Sequence, residues 1–210
     1  MNPFDVFVRI VLYFTIFAVM GYIIEALNSL IREKKMSNRG FLFGPYLPIY
    51  GFAGLLMIGI WQCIPHDNYV LTFFMAMIIG AGLEYITSYI LEKIFHLRWW
   101  DYSKSDRFNI HGRICLRNTL IFGVAGLLFC YILLPTVDNA IVFLPVGLQI
   151  AIALIMMGIY LLDFIASSYA NSKVKNMEEL SKVVGDQTRE IKKNAKKVIK
   201  SVVGQRRRRK

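Results

Sequence analysis

Residues 70–91 read VLTFFMAMIIGAGLEYITSYIL, an apolar run in which Glu84 is the one charged side chain. At ~1.5 Å rise per residue such a helix crosses a hydrocarbon layer of ~30 Å, and Glu84 falls ~20 Å or a little more from its outer end, close to the inner leaflet. A second run, residues 10–31, carries Glu25 at nearly the same distance from its start. A matched pair of intramembrane carboxylates marks a functional site, because ionisable groups at that depth are expensive.

The composition agrees with a polytopic membrane protein. Of 210 residues 56% are hydrophobic, more than a soluble domain of this size can bury, and the mean hydropathy is +0.47. Further apolar runs cover residues 47–64, 119–134 and 141–166. The reading is an all-α membrane protein with five transmembrane helices over residues 1–170, and a cytoplasmic tail over 171–210. The first run is longer than a signal-peptide core, contains a glutamate and has no small-residue cleavage site after it, so it is expected to stay.

Basic residues set the orientation. The connection after the first span holds Arg32, Lys34, Lys35 and Arg39, and the one after the third holds Arg98, Lys104, Arg107, Arg113 and Arg117. The connections at 65–69 and 135–140 have no Lys or Arg, only Asp67 and Asp138. By the positive-inside rule the N-terminus is outside and the C-terminus in the cytoplasm.

The net charge of +11 belongs almost wholly to the tail, where fourteen Lys and Arg from Lys173 onward oppose Glu178, Glu179, Asp186 and Glu190. Its apolar residues recur at helical spacing, which describes a basic amphipathic helix, lying on anionic inner-leaflet lipid or standing as a solvated charged helix frayed at its end. No aromatic or recognition module accompanies the charge, so nucleic acid is excluded as partner. Cys63, Cys115 and Cys130 lack paired spacing, and His111 four residues before Cys115 is too little for a metal site. No metal and no cofactor is expected.

Within the third span Ala76, Gly80, Glu84, Ser88 and Glu92 recur every fourth residue. Small residues at the outer end permit close helix approach, and the stripe turns polar toward the cytoplasm. Tyr22, Glu25 and Ser29 share a face of the first span, as do Gln149, Tyr160, Asp163 and Ser167 of the last. Glu92 and Asp163, nearer the membrane edge, read as solvated. Residues 40–51 are apolar yet broken by Gly44, Pro45 and Pro48, a candidate re-entrant segment lining a site, with Tyr50 at its end. The long connection after the third span offers Trp99 and Trp100 as interfacial anchors and Asp101, Tyr102, Asn109 and Arg113 as polar groups.

The strings RGFLFGPYLPIYG (39–51), EYITSYILEKIF (84–95), RWWDYS (98–103) and FNIHGRICL (108–116), in this order, resemble the CmpB-like family of ABC-transporter type IV bacterial integral membrane proteins. The resemblance implies a transporter component of the bacterial cytoplasmic membrane. The chain has no GxxxxGK[ST] phosphate loop, so a separate ATPase subunit must hydrolyse any ATP used.

Three function classes follow. A permease-like component would bind a small polar or amphipathic solute in a cytoplasm-facing cavity lined by Glu25, Arg39, Tyr50, Glu84, Ser88, Asp101, Tyr102, Asn109 and Arg113. An intramembrane enzyme acting on lipid headgroups or lipid-linked substrates would use Glu84 as acid or base, with Arg39 and Arg113 on a phosphate. A structural or partner-binding protein would use the same charges as ion pairs. No Ser-His or Cys-His nucleophile signature favours an enzyme, and the family resemblance favours the first class. In this topology single cysteines at 67 and 138 label from outside intact cells, whereas 36, 104 and 190 do not; outside labelling of 36 or 104 contradicts it.

Overall fold

The computed structural model describes residues 2–34, 40–96, 98–104 and 106–173, with the side chains of Arg32 and Glu33 excepted. The amphipathic tail and Arg39 fall outside the described residues. Everything considered below belongs to a compact unit, Met1–Ser168.

Helix α1 (Pro3–Glu33) starts where the Asn2 side chain accepts from the Phe4 N–H and Pro3 occupies the first turn. It stops at Lys34, in the left-handed region at φ 54°. Helix α2 (Pro48–Trp61) again opens on proline. Helix α3 (Tyr69–Phe95) is capped by Asn68, whose side chain accepts from the Leu71 N–H at 3.0 Å, and ends at His96, also left-handed. A short hairpin follows, β1 (Asn109–Ile110) paired antiparallel with β2 (Ile114–Cys115). Then come α4 (Leu116–Leu128), a π turn (Phe129–Leu133), α5 (Leu134–Phe143) and α6 (Val146–Lys173).

Among the described residues four helical stretches are long and apolar enough to cross a membrane: Pro3–Ile31, Tyr69–Phe95, Leu116–Phe143 and Val146–Lys173. Helix α2 has 14 residues, ~21 Å at 1.5 Å per residue, short of a ~30 Å layer. The irregular residues 40–47 lead into it from inside the bundle, since the Leu47 N–H donates to the Ala18 carbonyl at 2.9 Å and Ala18 is fully buried.

Residues 135–140, read from the sequence as a connection, are helical. The Leu134 N–H bonds five residues back to Phe129. That wider turn accommodates Pro135, which has no N–H to give and whose ring would meet a carbonyl in a regular helix. The break comes later, at Leu144 and Pro145. Asp138 therefore sits on a helix, where it accepts from the Tyr13 hydroxyl and lies 3.8 Å from Arg9. Labelling at 67 and 144 reports that end better.

Small residues set the packing of α3 on α4, as the stripe implied. A Cβ on Gly126 would collide with Ala76, one on Gly123 with the Phe73 ring, and one on Gly80 with the Phe122 ring. Helix α2 packs on α1 likewise, Gly51 against Phe14 and Gly54 against Phe17. The core below holds Val8, Leu12, Phe17, Val137, Ile141 and Ala153, and beside it Met57, Ala76 and Cys130. Gly126→Leu should force α3 and α4 apart at a cost of ~1–3 kcal/mol. A clearly lower melting temperature of the purified protein is expected; an unchanged one contradicts the close crossing.

Candidate functional site

The loop between α3 and α4 folds back onto the helices. His111 (φ 53°) and Gly112 (φ 68°) turn the hairpin in the left-handed region, and Gly112 is required there because a Cβ would run into the Asp101 carboxylate. The Asn109 side chain accepts from the Gly112 N–H at 2.9 Å and donates to the Asp106 carbonyl at 2.7 Å. The Tyr102 N–H donates to the Gly112 carbonyl at 2.8 Å, and the Trp100 indole donates to the Arg113 carbonyl at 3.0 Å. Asp101 accepts from the Ser103 N–H at 2.9 Å and pairs with Arg98 at 3.4 Å. The Ser103 amide above all holds its carboxyl below the usual carboxylate range.

Braced in this way, Tyr102 reaches back into the bundle and donates to Glu84 Oε1 at 2.8 Å. Asn118, in the first turn of α4, donates to the Tyr102 oxygen at 2.9 Å. Burial, and then the adjacent Glu84, push the Tyr102 phenol above its ordinary range, so it stays a donor at neutral pH. Glu84 is 7% exposed, and its Oε2 has no hydrogen-bond partner among the described residues.

The second carboxylate has the same kind of partner. The Tyr50 ring occupies the space a Cβ on Gly21 would need, and one helical turn further along α1 its hydroxyl donates to Glu25 Oε1 at 2.7 Å. Tyr50 lies in the fields of Glu84 and Tyr102 as well as Glu25, and Glu25 acts on Glu84. Two hydrogen-bonded sets, Glu25 with Tyr50 and Glu84 with Tyr102 and Asn118, thus lie within electrostatic reach of one another and together make up the carboxylate cluster.

Other expected site residues lie elsewhere. Arg113 donates to Ser88 at 3.1 Å, pairs with Glu92 at 2.6 Å and faces the Tyr85 and Tyr89 rings. It belongs to Glu92 rather than Glu84, because Ser88 and Glu92 are one and two turns further along α3. Glu92, expected to be solvated, is the anchor for Arg113 and Arg98. Asp101 and Asn109 build the loop. A cleft of about 260 Å3 at this end is lined by Tyr89, Glu92, Lys93, His96 and Arg113 and does not include Glu84.

Asp163, likewise expected to be solvated, is a clamp. It accepts from the Phe43 N–H at 3.0 Å, the Gly44 N–H at 2.8 Å, the Ser167 hydroxyl at 2.8 Å and the Tyr46 hydroxyl. The Phe43 and Gly44 amides of the broken segment are thereby satisfied by α6. Asn118 and this clamp went unread in the sequence. A lone Asn opening a span and a Gly-Pro break without a donor inventory are the faint signals they leave.

Together the apolar helices and the buried polar cluster define a multi-pass α-helical membrane protein. The sequence profile of the family described as "Putative ABC-transporter type IV" matches residues 12–168, and the chain belongs to that family. No curated protein and no solved structure matches it. Tyr102→Phe removes the donor to Glu84 and the acceptor for Asn118, and should cost ~1–3 kcal/mol. Thermal unfolding of the purified variant in detergent checks this; wild-type stability would mean the contact is not made.

Proposed function

We propose that the chain is the permease-like membrane component of a transport system in the bacterial cytoplasmic membrane, served by a separate ATPase subunit. Its family membership and the absence of a phosphate loop support that division of labour. The N-terminus is outside and the C-terminus inside. Five crossings are supported by the shared cluster: Glu25 and Glu84 lie toward the same ends of α1 and α3, so the chain between must return the full distance, and residues 40–61 are what returns it.

The solute contacts Glu25 and Glu84. The observation that carries this reading is that both carboxylates are held by tyrosines, while among the described residues none of the Lys and Arg pairs with either. A carboxylate held by one hydroxyl keeps acceptor capacity that a closed ion pair would use up. Such a site suits a small polar or amphipathic solute bearing N–H groups or positive charge. An ion-pair lock is disfavoured on the same ground, and an enzyme that sets a phosphate against Glu84 by the position of Arg113, which meets Ser88 and Glu92 one and two turns further along α3.

Melting of the full-length protein with choline, ethanolamine, spermidine and glycerol as probes tests the reading. At least one amine should raise the melting temperature of wild type, and Glu84→Gln should abolish that rise while staying monodisperse. Equal responses of wild type and Glu84→Gln, or no response to any amine, overturn the assignment.

A further inference from the structure

A second polar feature stands apart from the carboxylate cluster. On the last two turns of α3 Tyr89, Glu92 and Lys93 lie along one side of the helix, and His96, the residue that ends it, follows. Arg113 closes the other wall, and the five residues enclose the cleft of about 260 Å3.

The charges in this cleft are only partly spent. Arg113 and Arg98 both bond Glu92 through Oε2, so among the described residues Oε1 keeps its acceptor capacity. Arg113 uses one terminal nitrogen on Ser88 and the other on Glu92, which leaves N–H groups over. Lys93 is exposed, stands 5.6 Å from the centre of the Tyr89 ring, and has no ion pair among the described residues. A rigid arginine, an uncommitted ammonium and one available carboxylate oxygen therefore share a single small space.

Its depth identifies the medium it faces. Ile86, Ile90 and Ile94 are exposed on the helix immediately alongside, Tyr89 is exposed at the cleft itself, and Trp99 and Trp100 follow. Apolar surface giving way to aromatic rings and then charge is the sequence of environments from acyl chains to headgroups. The carbonyl end of α3 lies here too, and its partial negative charge favours an ammonium over a lone anion.

We propose that this cleft binds a phospholipid whose headgroup carries a primary amine. The phosphate is held by Lys93 and Arg113, the ammonium by Oε1 of Glu92, and the acyl chains run along Ile86, Ile90 and Ile94. A headgroup without the ammonium leaves Glu92 facing phosphate, and a choline headgroup has no N–H to donate. The site is independent of the solute reading above, since none of its residues belongs to the carboxylate cluster.

Native mass spectrometry of the full-length protein tests this with phosphatidylethanolamine, phosphatidylglycerol and phosphatidylcholine of identical acyl chains, and with soluble phosphoethanolamine as competitor. Wild type should retain phosphatidylethanolamine on the order of tenfold more tightly than phosphatidylcholine. Lys93→Gln, which removes a phosphate contact common to both lipids, should weaken retention of phosphatidylethanolamine and phosphatidylcholine alike by on the order of tenfold, and Lys93→Arg should keep it, both with the lipid-free melting temperature of wild type. Equal retention of phosphatidylethanolamine and phosphatidylcholine by wild type, tighter retention of phosphatidylglycerol, or wild-type retention of both lipids by Lys93→Gln overturns the proposal. Displacement of lipid by phosphoethanolamine at equal concentration overturns the lipid assignment in favour of a water-borne phosphate ester.

Discussion

In hydrocarbon there is no water to complete a hydrogen bond, so every polar group at membrane depth must find its partner inside the protein. Most of the helices meet this constraint within their own backbones. Residues 40–47 cannot, because Gly44, Pro45 and Pro48 prevent a helix from forming there. The Asp163 carboxylate answers the amides of Phe43 and Gly44, and the Ala18 carbonyl answers that of Leu47. With that segment anchored, α2 can be short and still deliver Tyr50 to Glu25.

The same constraint shapes the carboxylates. Placing a charge in the bundle calls for a partner, and an arginine or lysine would close the site as an ion pair. Glu25 and Glu84 are instead each given a tyrosine. A phenol satisfies one oxygen, brings no counter-charge and leaves the remaining acceptor positions to be contested. Arg113 of the connecting loop is engaged one and two turns further along α3, on Ser88 and Glu92. The loop is thus both a strut that holds Tyr102 in place and a collar that keeps Arg113 away from the deeper acid.

Much of the fold was legible in the sequence, because hydrophobic length and four-residue spacing act locally. The stripe from Ala76 to Glu92 does pack small residues against α4 at one end and bury Glu84 and Ser88 toward the other. The boundary at 135–140 was misread because Pro135 is a helix breaker in isolation, and only a π turn, which has no sequence signature of its own, carries the helix past it. Pairing was the least legible part. That Arg113 meets Glu92 rather than Glu84, and that Asp163 holds a loop about 120 residues away in sequence, depends on how a connection folds back. Periodicity describes single elements and carries no record of that return. The hairpin's left-handed His111 and Gly112 were the local clue.

The account rests on the two tyrosine–carboxylate pairs behaving as one site. A double-mutant cycle on stability, with Tyr50→Phe, Tyr102→Phe and the combined variant, measures that most directly. A single shared cluster predicts a coupling energy of ~0.5–3 kcal/mol, whereas costs that add to within ~0.3–0.5 kcal/mol would show two independent contacts and contradict it.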